Sequence, residues 1–287
     1  MIQTPTRTPQ TIPPLENGDR LSCDEFKRRY EAMPEDCKAE LIEGIVYMAA
    51  ALRFKSHGRP HGRMMTWLGT YEAETIGVEI ADNVSVRLDS ANDPQPDIAL
   101  ILDPDLGGQT RITDDDYIEG PPELIAEISA STVSIDLGAK KNAYERNGVQ
   151  EYLVWRVLDE SIDWFILQNG HYVTLLPDED GIIRSRIFPG LWLDRTALLV
   201  GDMKHVLAVL QLGIRSRSYL ITPKSLTSKP PSNSHKSPAS ASATTASESP
   251  QTPIGPSSRA PHPPPPSDSA ETSEPHSNTT PYCAPAE

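Results

Sequence analysis

The sequence PPELIAEISAST at residues 121–132 predicts a short buried strand. A proline pair precedes the apolar run from Leu124 to Ile128, and small polar residues follow it. Glu127 interrupts the apolar run, and burying a carboxylate costs free energy unless a positive charge compensates it. We therefore expect Glu127 to have a function and to face a cation.

A second acid lies at the start of another predicted apolar strand, upstream in the sequence. Asp97 follows Pro96 and precedes the run IALIL at residues 98–102. Two such acids suit Mg²⁺, because this hard cation takes few protein carboxylates and keeps water and substrate phosphate at its other positions. We predict that Asp97 and Glu127 hold Mg²⁺ or Mn²⁺ in one pocket. The alternative for Asp97 is a cap at the entry of the strand.

A candidate lysine follows on a predicted helix that starts at Ser134 or Asp136 and runs to Asn147, where Gly148 ends it. Leu137, Lys140 and Tyr144 are spaced by three and four residues, so they lie on one helical face. Lys140 is therefore predicted to point inward, where its ammonium could complete the acid pair. The alternative is a buried aliphatic stem with the charged head in water.

The segment HGRPHGR at residues 57–63 is the most basic patch in an acidic sequence. It precedes a predicted helix at residues 64–74, and Pro60 suits a first helical turn. Helix N-termini attract anions, so one interpretation assigns His61 and His57 to phosphate binding. A polar helix cap with surface arginines is the alternative. A zinc pair is rejected because proline separates the histidines and no third ligand is near.

An ordered set of residues between about 20 and 210 resembles the Uma2 family of endonuclease-like proteins. The set consists of Asp97 after proline, Glu127 after PELIA, SAST at 129–132, Asp136, Lys140, Tyr144 and GVQEY at 148–152. That family has the PD-(D/E)XK restriction-endonuclease-like fold. The resemblance implies an α/β domain with a mixed central sheet flanked by helices. It also implies Mg²⁺-dependent hydrolysis of phosphodiester bonds, with DNA as the partner.

The resemblance also implies roles for particular residues. The fold's usual pattern places a lysine two residues after the glutamate, where this chain has Ser129, so the lysine's role passes to Lys140 on the helix. Family members carry a glutamate in a Glu-Leu-Ile-x-Gly pattern, which makes Glu43 a candidate third carboxylate at the metal. A solvated acid in a turn is the alternative for Glu43.

The charge balance limits how the chain could bind DNA. Lys and Arg total 26 against 40 Asp and Glu, a formal net charge of −14. Such a balance gives no generic attraction to phosphates, which disfavours a tight non-specific DNA binder. It is compatible with a nuclease whose site is locally basic or neutralised by metal. A nuclease-fold module that acts in binding or regulation is the alternative.

Composition divides the chain into three parts. Residues 1–19 and 216–287 are rich in Pro, Ser and Thr and are predicted to be disordered, and residues 20–215 form the folded domain. The three cysteines are widely spaced, which favours a reducing compartment. Without a visible signal peptide or membrane span, the cytoplasm is expected. Trp155, Trp164 and Trp192 are expected in the core or at a homodimer contact.

Overall fold

A computed structural model describes residues 11–34 and 36–216. Residues 1–10 of the predicted N-terminal segment, and the predicted tail after Ser216, lie outside the described residues. Leu15 is buried against Phe26 and Leu41. The packing of the domain therefore extends upstream of residue 20, where the sequence analysis begins it.

Six α-helices and thirteen strands make up the regular structure of the described residues. The helices are α1 (Cys23–Tyr30), α2 (Arg59–Ala73), α3 (Val133–Ile135), α4 (Lys141–Asn147), α5 (Arg195–Val200) and α6 (Met203–Arg215). Two π-helical turns, Phe54–Gly58 and Asp136–Lys140, precede α2 and α4, and a 3₁₀ turn spans Pro104–Leu106. The strands are β1 (Ala39–Ile42), β2 (Ile45–Met48), β3 (Val78–Asp82), β4 (Val86–Arg87), β5 (Ile98–Leu102), β6 (Arg111–Ile112), β7 (Ile118–Glu119), β8 (Leu124–Ser129), β9 (Glu151–Arg156), β10 (Ser161–Gln168), β11 (His171–Thr174), β12 (Ile182–Arg184) and β13 (Trp192–Asp194).

The central sheet has six strands in the order β11-β10-β9-β8-β5-β3. Strands β8 and β9 are parallel, because the helical segment from α3 to α4 carries the chain back between them. The other neighbours in the sheet are antiparallel. Strands β1 and β2 form a separate two-stranded sheet, and β12 and β13 form another. Strands β4, β7 and β6 form a small three-stranded sheet.

Apolar side chains cover both faces of the central sheet. On one face, α2 and α6 pack over the larger core, in which Trp67 meets Trp164 edge to face at 5.7 Å. On the other face, Tyr144 of α4 packs on Ile125, Tyr152 and Phe165. The predicted mixed sheet flanked by helices is therefore confirmed.

Strand alternation decides which face each acid occupies. Ala126 and Ile128 of β8 belong to the core under α2 and α6, whereas Ile125 packs on the opposite face under α4. Side chains of a strand alternate between faces, so Glu127 points toward the helical segment that follows β8. Within the part of the chain that the structure describes, no helix combines the length and apolar character needed to cross a bilayer.

Candidate active site

Strand register brings Asp97 and Glu127 together. Strands β5 and β8 pair antiparallel with Ile98 opposite Ala126, so the residue before β5 lies beside Glu127. The backbone N–H of Asp97 donates to Glu127 Oε2 at 3.4 Å, and that of Ile128 donates to Asp97 Oδ2 at 2.6 Å. The two acids, thirty residues apart in sequence, are neighbours at one edge of the same sheet face.

Lys140 lies at the centre of a cluster of carboxylates. Its side chain is buried, with Nζ 3.0 Å from Glu127 Oε1, 2.9 Å from Glu40 Oε2 and 3.8 Å from Asp136 Oδ1. The hydroxyl of Tyr144 donates to Glu127 Oε1 at 3.0 Å. Lys140 therefore points inward, as predicted. The alternative, in which its ammonium group lies in water, is wrong. We call Glu40, Asp97, Glu127, Asp136 and Lys140 the acid–lysine cluster.

A π-helical turn delivers Lys140 to this cluster. Asp136–Lys140 forms one wide turn between α3 and α4, and both end residues are buried. Turns of this kind are rare and occur frequently at functional sites. Thr132 Oγ1 donates to Asp136 Oδ2 at 2.6 Å, and the Tyr152 hydroxyl donates to the Asp136 carbonyl oxygen at 2.9 Å. These bonds fix the turn and hence the position of the ammonium.

The hairpin contributes Glu40, not Glu43, to the cluster. Glu43 lies in the β1–β2 turn with a positive φ of 53°, and its carboxylate pairs with Arg146 at 2.7 Å near the surface. Glu40 accepts from the backbone N–H of Gln95 at 3.1 Å while it binds Lys140. The expectation that Glu43 lies beside the other acids is wrong, because a turn residue projects outward. The Glu-Leu-Ile-x-Gly pattern begins at Glu40, and this signal could have identified it.

The two histidines lie beside Asp97. His57 Nε2 is 3.3 Å from Asp97 Oδ1, and His61 Nε2 is 3.1 Å from Asp82 Oδ1 and 3.4 Å from the Asp97 carbonyl oxygen. Their rings stack with centroids 5.6 Å apart. Helix α2 begins at Arg59 rather than at residue 64, which places His57 in the π-helical turn before it. Both imidazoles therefore border the acid pair.

The acid–lysine cluster has more negative than positive groups. Burial raises the pKa of Glu127 well above its usual value, although the Lys140 ammonium lowers it, and burial also raises the pKa of Asp97. Burial opposes charge on Lys140, but Glu127, Glu40 and Asp136 outweigh it and raise the pKa of the ammonium well above its usual value. Lys140 is therefore charged, and it is the one cation of the cluster.

The donors fit a hard cation that needs few protein ligands. Among the described residues, no group of three or more His, Cys, Asp or Glu is arranged to hold a metal ion. Mg²⁺ is commonly bound through only one or two carboxylates, with water and substrate phosphate completing its shell. Asp97 and Glu127 supply such a pair of oxygen donors.

Two further buried acids, which the sequence analysis did not single out, have structural partners. Glu123 accepts at 2.8 Å from the backbone N–H groups of Leu102 and Gln109, one at each oxygen. Glu151 accepts from the Trp164 indole at 3.2 Å, and from groups of the loop after β12. Both acids satisfy donors that would otherwise be buried without acceptors, so we assign them to the fold.

Lys141 and two histidines lie outside the cluster. Lys141 directly follows Lys140, but its Nζ lies 3.8 Å from the centroid of the Phe165 ring. His171 Nδ1 lies 3.2 Å from Glu145 Oε1, and His205 Nε2 lies 3.1 Å from Asp194 Oδ2. Long-range and helix-cap partners of this kind cannot be seen in the sequence.

A family model described as "Putative restriction endonuclease" matches residues 23–196. The chain belongs to the Uma2 family. Among solved structures, this Uma2 protein is similar to a crystal structure described as a "putative nuclease belonging to DUF820" from Anabaena variabilis, with 11% identity, a TM-score of 0.48, and coverage of 60% of this chain and 96% of the other. A search of curated proteins gives no match.

Proposed function

We propose that this Uma2 protein is an endonuclease that hydrolyses phosphodiester bonds in DNA with the help of Mg²⁺ or Mn²⁺. The observation that carries the proposal is the adjacency of Asp97 and Glu127, with the Lys140 ammonium 3.0 Å from Glu127. Two carboxylates and a lysine, all buried or nearly so, are costly to retain in a domain of this size without a function.

In this proposal Asp97 and Glu127 hold the cation. When bound, the cation would polarise a phosphoryl oxygen and lower the pKa of the attacking water. The bonds already present in the protein orient its ligands. The Ile128 N–H fixes Asp97 Oδ2, and the Tyr144 hydroxyl fixes Glu127 Oε1. Ligands oriented in advance need little rearrangement when substrate arrives.

Lys140 supplies the positive charge of the protein itself. Its ammonium is held by Glu127, Glu40 and Asp136 at 3.0, 2.9 and 3.8 Å. We assign it to stabilise negative charge that develops on the phosphate, or to orient the attacking water. The adjacent carboxylates keep Lys140 protonated, which this role requires.

The histidines are suited to contact the phosphate as it enters. His57 lies 3.3 Å from Asp97 Oδ1, and each imidazole offers N–H donors, one when neutral and two when charged. A phosphate bound beside Asp97 would therefore lie close to His57, and His61 stands one helical turn further on. This assignment extends the anion-binding role expected from the sequence.

Nicking of supercoiled plasmid DNA tests the proposal. Wild-type protein is expected to nick with Mg²⁺ or Mn²⁺ and not with EDTA, and Glu127→Gln is expected to abolish nicking. Glu43→Gln is the matched control, because Glu43 pairs with Arg146 outside the cluster. Equal nicking by wild type and Glu127→Gln would refute the assignment.

A second candidate is a nuclease-fold module that binds or regulates without cutting. Two observations favour it, namely the net charge of −14 and the presence of Ser129 where the usual pattern has lysine. Ser129 is buried, and its hydroxyl lies 3.4 Å from Thr132 Oγ1. Calorimetric titration with Mn²⁺ separates the candidates, because the proposed enzyme is expected to give a saturable heat change that Asp97→Asn removes, whereas a folded chain without such a heat change favours the module.

A further inference from the structure

A short basic segment beside the acid–lysine cluster carries cations without acid partners. Arg53, Lys55 and Arg59 are exposed, and no carboxylate of the described residues lies within ion-pair distance of them. Residues 53–63 contain no acid, although the whole chain has a net charge of −14. The segment is therefore a local positive surface on an acidic protein.

Elsewhere in the domain, basic side chains more often have a structural use. Lys27 pairs with Asp115 at 2.8 Å, and Arg156 pairs with Asp163 at 2.7 Å. The guanidinium of Arg63, at the end of the same segment, lies against Gly201 after α5. Arg53, Lys55 and Arg59 differ from these residues because their charges remain available to an external anion.

An aromatic ring lies exposed among these three cations. Phe54 is 71% exposed and the neighbouring Leu52 is 68% exposed. The Arg59 guanidinium carbon is 5.9 Å from the centroid of the Phe54 ring. An exposed ring among cations has the combination of groups that single-stranded nucleic acids use, because bases stack on aromatic rings and phosphates pair with basic side chains.

The segment is attached directly to the proposed site. Phe54, Lys55 and His57 belong to one π-helical turn, Phe54–Gly58, and His57 contacts Asp97 at 3.3 Å. A ligand bound to the exposed side of this turn would therefore continue toward Asp97 and Glu127.

We propose that residues 52–59 bind unpaired nucleotides of the nucleic acid whose phosphate enters the acid–lysine cluster. This inference rests on the proposed function for the position of that phosphate. Arg53, Lys55 and Arg59 contact the phosphates, and Phe54 stacks on a base. A duplex offers phosphates but keeps its bases stacked inside, so the exposed ring gives a preference for single-stranded or frayed substrate.

Fluorescence anisotropy with labelled oligonucleotides tests this surface in EDTA, where no cleavage interferes. The probes are oligo-dT, oligo-U and a mixed-sequence duplex, titrated with the full chain at several salt concentrations. Arg53→Ala/Lys55→Ala/Arg59→Ala should lower single-strand affinity at least 10-fold. It should also reduce the slope of log affinity against log salt by about 2, since each phosphate contact on a single strand contributes about 0.7. Comparison of the dT and U probes shows whether DNA or RNA is preferred.

Two sets of variants make the test specific. Phe54→Leu keeps an apolar side chain without a ring and should lose about 5-fold or more in single-strand affinity, as stacking energies imply, with less effect on duplex. Phe54→Trp keeps an aromatic ring and should bind single strands about as tightly as wild type. Arg195→Ala/Lys204→Ala removes two cations, one on α5 and one on α6, that also have no carboxylate of the described residues within ion-pair distance, and it should leave binding nearly unchanged.

Unchanged affinity in the triple variant and in Phe54→Leu, with wild-type melting temperatures, would overturn the inference. An equal loss in the Arg195→Ala/Lys204→Ala control, or wild-type protein that binds duplex more tightly than both single strands, would also overturn it. Binding that depends on residues 52–59 in a protein that never nicks would refute the proposed hydrolysis and leave this inference intact. Nicking by wild type, together with unaltered binding in the variants, would support the proposed hydrolysis and refute the inference about residues 52–59.

Discussion

Lys140 Nζ lies 3.0 Å from Glu127 Oε1, and both side chains are almost completely buried. The pair links β8 of the central sheet to the π-helical turn that follows it. A buried charge without its partner is strongly unfavourable, whereas the intact pair is tolerated because each group has further hydrogen bonds. Stability and the proposed activity therefore depend on the same pair.

Replacing Lys140 by methionine should destabilise the fold. Lys140→Met leaves Glu127, Glu40 and Asp136 without their shared cation, and breaking a buried pair costs about 3–5 kcal/mol. Urea denaturation measures the change in unfolding free energy. Lys141→Met is the matched control and should cost less than about 1 kcal/mol, since Lys141 makes only a partly exposed contact with Phe165. Equal stabilities of the two variants would contradict the importance of the buried ammonium.

Glu40 is predicted to position Lys140 for catalysis. Glu40→Gln should lower kcat for plasmid nicking about 10- to 100-fold, as loss of an outer partner of a catalytic group does, with little change in KM. Glu43→Gln, three residues away and paired with Arg146, should nick like wild type. A similar kcat for Glu40→Gln and wild type would remove Glu40 from the site. A parallel fall in melting temperature and kcat would indicate a purely structural role.

Tyr144 is predicted to stabilise the charged form of Glu127. Tyr144→Phe removes the hydroxyl that donates to Glu127 Oε1 at 3.0 Å and should cost about 1–3 kcal/mol of unfolding free energy. Tyr117→Phe is the control, because the Tyr117 ring contacts Arg87 through its face rather than through its hydroxyl. Chemical denaturation of both variants at pH 7 measures the difference. Identical unfolding curves for Tyr144→Phe and wild type would show that the bond contributes nothing.

The buried carboxyl group of Glu151 should make the stability of the fold decrease as pH rises. Burial raises the pKa of Glu151 from 4.5 to about 7, although hydrogen bonds from Arg186, Ser185, Ile187 and Trp164 lower it. The folded state then binds the proton more tightly than the unfolded state. The resulting contribution to the free energy of unfolding is fully present below about pH 4.5 and is lost as pH rises through 7. The total is roughly 3 kcal/mol, from 1.36 kcal/mol per pKa unit.

Unfolding free energies measured between pH 4.5 and 8 test this effect. Glu151→Gln should have a smaller decrease with rising pH than wild type. Glu123→Gln is a suitable comparison, because it also replaces a buried acid that accepts backbone N–H groups. If the wild-type and Glu151→Gln curves keep a constant separation over this range, Glu151 does not titrate there.

The sequence alone locates much of the site, because local periodicity decides it. The apolar run around Glu127 predicts β8, and the spacing of Lys140 and Tyr144 places both on one helical face. Whether Asp97 meets Glu127 depends on the register of β5 against β8, which is a long-range pairing. The structure supplies that register.

The differences between expectation and structure arise from tertiary contacts that no local pattern shows. Glu40 and Glu43 both lie in or beside one hairpin, but only the tertiary packing of that hairpin shows which acid faces Lys140. A single leucine in a proline-rich segment has no periodic pattern, so the burial of Leu15 could not be expected. The π-helical turn at residues 54–58 also lacks a sequence pattern that would separate it from a loop.

A double-mutant cycle of plasmid nicking tests the central claim most directly, namely that Asp97 and Glu127 act as one cation-binding unit in hydrolysis. Nicking rates are measured with Mg²⁺ and Mn²⁺ for wild type, Asp97→Asn, Glu127→Gln and the double variant. We expect each single change to lower the nicking rate by several orders of magnitude and the double change to lower it little further, because residues that act as a unit are not additive. Wild-type protein that nicks with neither cation, or either single variant nicking at the wild-type rate, would contradict it.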